Sequence, residues 1–281
     1  MNQLFANALF EDEVVLITGG GTGIGACVAE EVGKLGAKVA ICGRRPEPLA
    51  ERAAQLNADF GIEVHHATCD IRDADAVDAF VAGVVERFGQ IDALVNNAGG
   101  QFPSPALSIS PRGFEAVVKN NLLGTFHMTQ SVAKQAMVPA QRGRILNVTA
   151  QVVRGFPGMS HTGAARAGVE NLTKSLAIEW SQHGLRVNAI APGVIETSGT
   201  RQYPPELLEK AAKANPLRRL GAPEEIAHLI TYLISRYADF ITGQTFVMDG
   251  GACLWGDQWP IPEKVPKHAP YLLGSEKDEE R

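Results

Sequence analysis

"TGGGTGIG", residues 18–25, follows the apolar run "VVLIT" at 14–18 and opens a segment whose apolar residues recur at helical spacing. How this stretch is read decides the fold. Glycines let a backbone turn tightly and approach a pyrophosphate, which the N-terminus of the next helix then holds. The stretch is not GxGxxG with glycine at all three places. It fits TGxxxGxG through Thr18, Gly19, Gly23 and Gly25. The same glycines would also make a plain tight turn, so the rest of the chain has to decide.

Outward from the loop, short apolar runs alternate with longer amphipathic segments. "VVLIT" (14–18), "KVAIC" (38–42), "EVHHATC" (63–69), "ALVNN" (93–97), "RILNVTA" (144–150), "RVNAIA" (186–191) and "TFVMD" (245–249) read as strands. Several are apolar on both faces, as parallel strands covered by helices must be. Helical spacing fills 24–35, 47–57, 74–88, 111–137, 161–182 and 223–235. "DAD" at 73–75 and "APEE" at 222–225 mark helix starts. Pro223 suits the first helical position, and Glu224 and Glu225 face the positive helix end, so these carboxylates belong to helix-start chemistry. The alternation predicts an α/β fold: one Rossmann-type, doubly wound, seven-stranded parallel sheet with helices on both faces. We read residues 1–11 as an N-terminal extension and 12–251 as one domain. Within it, the polar, proline-containing insert 196–215 reads as a substrate lid. Residues 252–281, with Trp255, Trp259 and several prolines, read as a tail that packs across the domain or a neighbouring subunit.

Composition narrows the function classes. The chain has 281 residues, 45% hydrophobic and 20% charged, with a net charge of -5. That is a folded globular protein, and it shows no basic stripe of the kind nucleic-acid binders carry. Cys27, Cys42, Cys69 and Cys253 are scattered, which argues against a disulfide framework or a structural zinc. His65 and His66 alternate on a strand without metal-ligand spacing, so no metal is expected. No run of about 18 apolar residues predicts a membrane span. The N-terminus lacks a signal-peptide pattern and the C-terminal "EER" is not a peroxisomal address, so a cytoplasmic location is expected.

Further signals fall where parallel strands end: "CDI" (69–71), "NNAG" (96–99) and "PGVIET" (192–197). In a parallel sheet these gather at the carboxyl edge, where ligands bind. With "TGGGTGIG" and "NNLLGTF" (120–126) they make the chain resemble the short-chain dehydrogenase/reductase family over about residues 12–251. Within that family, "NNAGGQFPSPA", "HTGAARAG", "NLTKSLAIEW" and "FITGQTFVMDGG" look closest to the peroxisomal trans-2-enoyl-CoA reductase and 2,4-dienoyl-CoA reductase branch. The resemblance implies that Gly19, Gly21, Thr22 and Ile24 line the pyrophosphate and ribose of a nicotinamide cofactor. It implies that Asp70 and Ile71 hold the adenine, and that Asn97, Ala98 and Gly99 back the cofactor. It implies that Pro192, Gly193, Ile195 and Thr197 hold the carboxamide. An acid ending the second strand would bond the 2′-OH of NAD, but here "CGRR" supplies Arg44 and Arg45. An arginine fork suits a 2′-phosphate, so the expected cofactor is NADP(H).

The family's carbonyl chemistry uses a Ser, a Tyr, a Lys four residues after the Tyr, and an Asn that completes a water relay. Matched to that pattern, this chain has Ala150, Thr162 and Arg166; only Asn121 is kept. A tyrosine near pKa 10 can be tuned down into range, whereas a threonine hydroxyl is far too weak an acid. Arg166 can clamp ribose hydroxyls but is a poor proton donor. Such a site suits hydride addition to the β-carbon of an enoyl thioester, whose enolate needs hydrogen-bond donors. Thr162 and backbone groups are candidate donors. His161, Gln101, Glu196 and Tyr203, the last on the lid, are candidate proton sources. His161 also suits a helix-start hydrogen bond, Tyr203 a packing role, and Glu196 a solvated one. Lys174 reads as a surface residue. Arg154, Arg201, Arg218 and Arg219 are candidate contacts for a CoA phosphate. The expectation is therefore an NADPH-dependent reductase of an acyl thioester C=C, with Asn121, Thr162, Arg166 and Tyr203 at the reacting centre. Two other readings stand beside it: a citronellol dehydrogenase-like alcohol or hydroxyacyl dehydrogenase, and a non-catalytic NADP(H)-binding protein. Family members are commonly tetramers, and the long apolar helices fit pairing across a two-fold axis, so a homotetramer is expected.

Overall fold

A computed structural model describes residues 8–200, 203–255 and 260–261. Seven strands, β1 (Val14–Thr18), β2 (Lys38–Gly43), β3 (Val64–Thr68), β4 (Ala93–Asn96), β5 (Gly143–Val148), β6 (Leu185–Pro192) and β7 (Thr245–Met248), form one sheet. Its order is β3-β2-β1-β4-β5-β6-β7, every neighbouring pair parallel. The chain winds outward from β1 to β3, returns to the centre at β4 and winds the other way. The crevice at that reversal opens at the carboxyl ends of β1 and β4.

Period-two alternation splits the core into two halves. Val15 and Ile17 of β1 face α1 (Gly23–Lys34), α2 (Pro46–Phe60) and α9 (Pro223–Ile234) through Val28, Val32, Leu49, Leu56 and Ile230. Val14 and Leu16 face the other way, onto α3 (Ala74–Phe88) and α5 (Gly124–Val132) through Val77, Val81, Val84 and Met128. Each such side chain, fully buried, contributes about 1.5–3 kcal/mol. Asp73 starts α3 by accepting the N–H groups of Asp75 and Ala76 at 3.0 and 3.2 Å.

The amphipathic stretch from 111 continues as α4 (Pro111–Val118), a π-turn over Lys119–Leu123, α5, a second π-turn over Ala133–Met137 and the short α6 (Val138–Ala140). The first π-turn has a visible cause. Asn121 Nδ2 donates to the Val117 carbonyl at 2.9 Å, the acceptor that the Asn121 backbone N–H would use in an α-helix. Within the insert 196–215, read from the sequence as a polar, proline-containing lid, Pro205–Lys213 is a helix, α8. Its proline sits in the first turn, where a missing N–H costs nothing, with Glu206 at the start and Lys210 and Lys213 at the end. Of the tail, Trp255 lies under Arg218, whose guanidinium carbon is 4.6 Å from the ring centroid, and Arg154 donates to the Trp255 carbonyl at 2.9 Å. Trp259 and Arg201 lie outside the described residues. Among the described residues no helix is long and apolar enough to cross a membrane.

Candidate active site

Gly19 leaves β1 with φ +69°, a conformation that disfavours side chains, and Gly25 packs so closely that a Cβ would lie 2.4 Å from the Gly19 carbonyl oxygen. Helix α1 then starts without a side-chain cap at Thr22 and without an acid in its first turn, so its leading N–H groups face the crevice with the positive helix end behind them. Thr18 ties this loop to the end of β4. Its Oγ1 accepts the N–H groups of Asn97 and Ala98 at 3.0 and 2.9 Å. Asn97 Nδ2 donates back to the Thr18 and Gly19 carbonyls at 3.0 and 3.2 Å.

A cavity of about 320 Å³ lies along this edge, and Gly19, Gly21, Thr22, Arg44, Arg45, Asp70, Ile71, Ala98 and Gly99 all line it. Six further lining residues, Cys42, Gly43, Pro48, Leu49, Cys69 and Asn120, were not singled out from sequence. Their signal was position alone: the last residues of β2, the first turn of α2, and the neighbours of Asp70 and Asn121. Arg72 forks the Asp70 carboxylate, its Nε 2.9 and 3.0 Å from the two oxygens, and holds it below the usual carboxylate range. Arg44 and Arg45 are exposed at the outer end. Ile24 packs onto the core beneath the loop. Of the 192–197 segment, Gly193 and Ile195 line a separate cavity of about 90 Å³, and Ile195 bridges to Gly221. Thr197 comes against the loop from the other side: a Cβ on Gly23 would sit 3.6 Å from it.

Two of the four residues placed at the reacting centre, Asn121 and Arg166, meet at Gly99. Asn121 is fully buried and clamps Gly100, its Nδ2 donating to the Gly100 carbonyl at 2.7 Å while its Oδ1 accepts the Gly100 N–H at 3.2 Å. Thr162 and Arg166 are buried one turn apart on α7 (Ser160–Glu179). Arg166 Nη1 donates to the Val148 carbonyl at the end of β5, at 2.7 Å. A Cβ on Gly99 would be 2.3 Å from Arg166 Nη2 and 2.7 Å from Asn121 Oδ1, so only glycine leaves the guanidinium its place. Burial alone pulls the Arg166 pKa down to about 10. Its Nε has no partner, and no ion pair reaches it among the described residues. Tyr203 is half-buried just before α8, and no hydrogen bond joins it to Thr162 or Asn121 among the described residues. Gln101, Glu196 and Lys174 are exposed, and Glu170 is half-buried.

These features fit a dinucleotide. The lining combines two exposed arginines, the start of an uncapped helix and Gly99, and Gly99 lies against the buried Arg166 with its unpaired N–H. No group of three or more His, Cys, Asp or Glu among the described residues is placed to hold a metal ion.

Comparison with known proteins agrees with this geometry. A family model described as enoyl-(acyl carrier protein) reductase matches residues 19–253. The probable 2,4-dienoyl-CoA reductase, (2E)-enoyl-CoA-producing, of Bacillus subtilis (strain 168) is 39% identical over 256 residues, covering 89% of this chain and 100% of the relative. The structure of a citronellol catabolism dehydrogenase of Pseudomonas aeruginosa PAO1 is 42% identical with a TM-score of 0.81, covering 90% of this chain and 99% of that one. An actinorhodin polyketide ketoreductase variant solved with NADPH is 32% identical with a TM-score of 0.83, covering 89% and 100%.

Proposed function

The chain belongs to the short-chain dehydrogenase/reductase family, and from that premise we propose that it is an NADPH-dependent reductase of the C=C bond of an enoyl or dienoyl thioester. The observation that carries this reading is the pair Thr162 and Arg166. Both are buried on one face of α7, and together they offer positive charge and hydrogen bonds without a group that yields a proton near neutral pH. The name of the Bacillus relative points to the same substrate class.

When bound, the nicotinamide supplies the hydride. Gly19, Gly21, Thr22 and the first turn of α1, with Ile24, hold the pyrophosphate. Asp70 and Ile71 flank the adenine, and Arg44 and Arg45 take the 2′-phosphate. Asn97, Ala98 and Gly99 back the cofactor, and Pro192, Gly193, Ile195 and Thr197 orient its carboxamide. Arg166 clamps the ribose and brings a positive charge beside the reacting carbons, Asn121 fixes the Gly99–Gly100 backbone, Thr162 donates a hydrogen bond, and Tyr203 closes over the acyl chain from the lid. The enzyme works as a homotetramer in the cytoplasm.

The test is turnover. NADPH oxidation with trans-2-enoyl-CoA and 2,4-dienoyl-CoA should outrun reduction of simple ketones by at least about a hundredfold. Equal rates on simple ketones would defeat the reading. Arg44→Asp should weaken NADPH binding about tenfold or more and leave NADH binding within about twofold; unchanged NADPH affinity would return the cofactor choice to NAD. The 42% identity to a citronellol catabolism dehydrogenase favours one second reading, oxidation of a terpenoid alcohol. Turnover of citronellol with NADP⁺ and none of enoyl-CoA would establish it.

A further inference from the structure

His161 stands in the first turn of α7, one residue before Thr162, and its ring is fully buried. Nδ1 accepts the backbone N–H of Thr162 at 2.9 Å, an N–H it shares with the Met159 carbonyl at 3.0 Å. A nitrogen that accepts an N–H carries no proton, so the neutral ring holds its hydrogen on Nε2. Nε2 is itself buried and has no partner. The ring is edge-on to Phe102, with centroids 4.6 Å apart, and tilted against Phe114 at 6.3 Å. Those two side chains are 41% and 40% exposed, so the imidazole lies under aromatic groups that solvent reaches.

A buried donor left unmatched bears its full desolvation penalty, and such a group in a folded protein calls for a reason. The missing partner must be an acceptor, because the proton is already on Nε2. It must reach the start of α7, beside Thr162, from the side of the segment that follows Gly99 and Gly100. The oxygen of a substrate carbonyl meets both conditions.

We propose that the Nε2–H of His161 is the hydrogen-bond donor to the thioester carbonyl oxygen, and that Phe102 turns aside when the substrate enters. This rests on the proposed reduction of an enoyl thioester. In that reaction hydride forms a C–H bond at the β-carbon, and the nicotinamide is oxidised in the same step. The C=C π pair moves to join the α-carbon to the carbonyl carbon, and the C=O π pair moves onto oxygen. A proton from water then bonds to the α-carbon as the pair returns from oxygen. The carbonyl is restored, the substrate has gained two electrons and two hydrogens, and His161 has kept its own proton. A neutral imidazole whose other nitrogen is occupied at a helix start is well suited to this. It polarises a carbonyl without surrendering a proton, as in triosephosphate isomerase.

The experiment compares wild type, His161→Phe and His161→Gln as full-length protein with NADPH and trans-2-hexenoyl-CoA. Infrared spectra of bound hexanoyl-CoA, carbon-13 labelled at the carbonyl, are read alongside. Loss of one such donor lowers kcat by about 10²–10³. His161→Phe should show that loss with KM within about threefold and NADPH affinity unchanged, and His161→Gln, which keeps an N–H, should recover at least about tenfold of it. The carbonyl stretch should move to lower frequency on wild type and return toward its free value on His161→Phe. A His161→Phe kcat within about threefold of wild type, or the same stretch on both proteins, overturns the proposal. If His161→Phe no longer binds NADPH, nitrogen-15 histidine NMR of wild type decides. The Nε2–H proton should shift downfield on adding hexanoyl-CoA, and an unmoved resonance overturns the proposal. A wild type that reduces no enoyl thioester defeats the proposed function instead, and the infrared arm still reports whether His161 meets the carbonyl.

Discussion

Arg166 is where folding and chemistry pull in opposite directions. Among the described residues its guanidinium is buried with one hydrogen bond and no carboxylate, and desolvation brings its pKa from the ordinary arginine range down to about 10. It stays protonated at neutral pH. Because the folded value lies below the unfolded one, the folded state is penalised for holding this charge. The penalty is complete below about pH 10 and is relieved as pH rises from there toward the ordinary arginine range. That gap corresponds to about 3 kcal/mol. Arg166→Met should therefore raise the Tm of the cofactor-free protein by about 2–4 °C, after allowing for the lost bond to Val148. The same change should lower enoyl-CoA reduction at least about tenfold. A melting scan showing a lower Tm would count against the account. Arg166 and Thr162 were legible in the sequence as side-chain types at a spacing. The unmatched Nε2 of His161 was not, because it depends on which way an imidazole turns. Sequence spacing offered two roles for that histidine, and the hydrogen bond from Thr162 decides its tautomer.

Helix starts were the most readable elements, because they are made by local chemistry. Asp73 and the Pro223–Glu225 turn do what their residue types promise. At α9, Glu225 Oε2 accepts the Ala222 N–H at 2.8 Å, while Arg219 pairs with both carboxylate oxygens at 2.6 and 2.7 Å. Arg219, before any other group, holds the Glu225 carboxyl below its ordinary range. The sign follows: a lowered carboxylate contributes stability above the unfolded pKa near 4.5, and that contribution is lost as pH falls through the folded value. Because glutamine keeps an oxygen for the Ala222 N–H, the partly exposed and screened ion pair sets the scale. Glu225→Gln should cost about 0.5–1 kcal/mol at pH 7. Denaturant midpoints should show that difference shrinking below about pH 4, and a difference independent of pH would remove the ion pair from the account. Less readable was α8, since prolines at 204 and 205 look like breakers unless one is recognised as a first-turn residue. The π-turn at 119–123 was half legible. Asn121 could be singled out as the one residue kept of the family's carbonyl set, but the bulge around it depends on its side chain reaching the Val117 carbonyl. Its clamp on Gly100 comes from tertiary structure.

At the scale of the whole molecule, strand order and the carboxyl-edge crevice could be read from alternation and strand-end motifs, because a parallel sheet leaves few ways to connect them. What alternation does not say is how the sheet's outer edges are treated. β7 is such an edge: all four of its residues keep some solvent exposure, and Val247 is exposed. In the segment between α9 and β7, Tyr237 is 51% exposed and Phe240 is fully exposed. An open edge strand, like exposed aromatic side chains, invites unwanted association unless another surface covers it. In the proposed homotetramer, the β7 face with Tyr237 and Phe240 is the natural candidate for one two-fold contact, self-complementary because each subunit presents the same patch. In that proposal the helical stretches 111–137 and 161–182 would supply the other. Phe240→Glu would place two carboxylates opposite each other across the first contact and leave the second intact. Light scattering on the eluting protein should then report a dimer where wild type gives a tetramer. A variant that remains a tetramer would move the contact elsewhere, and a wild type that elutes as a monomer would leave the β7 edge to be protected by its short length alone.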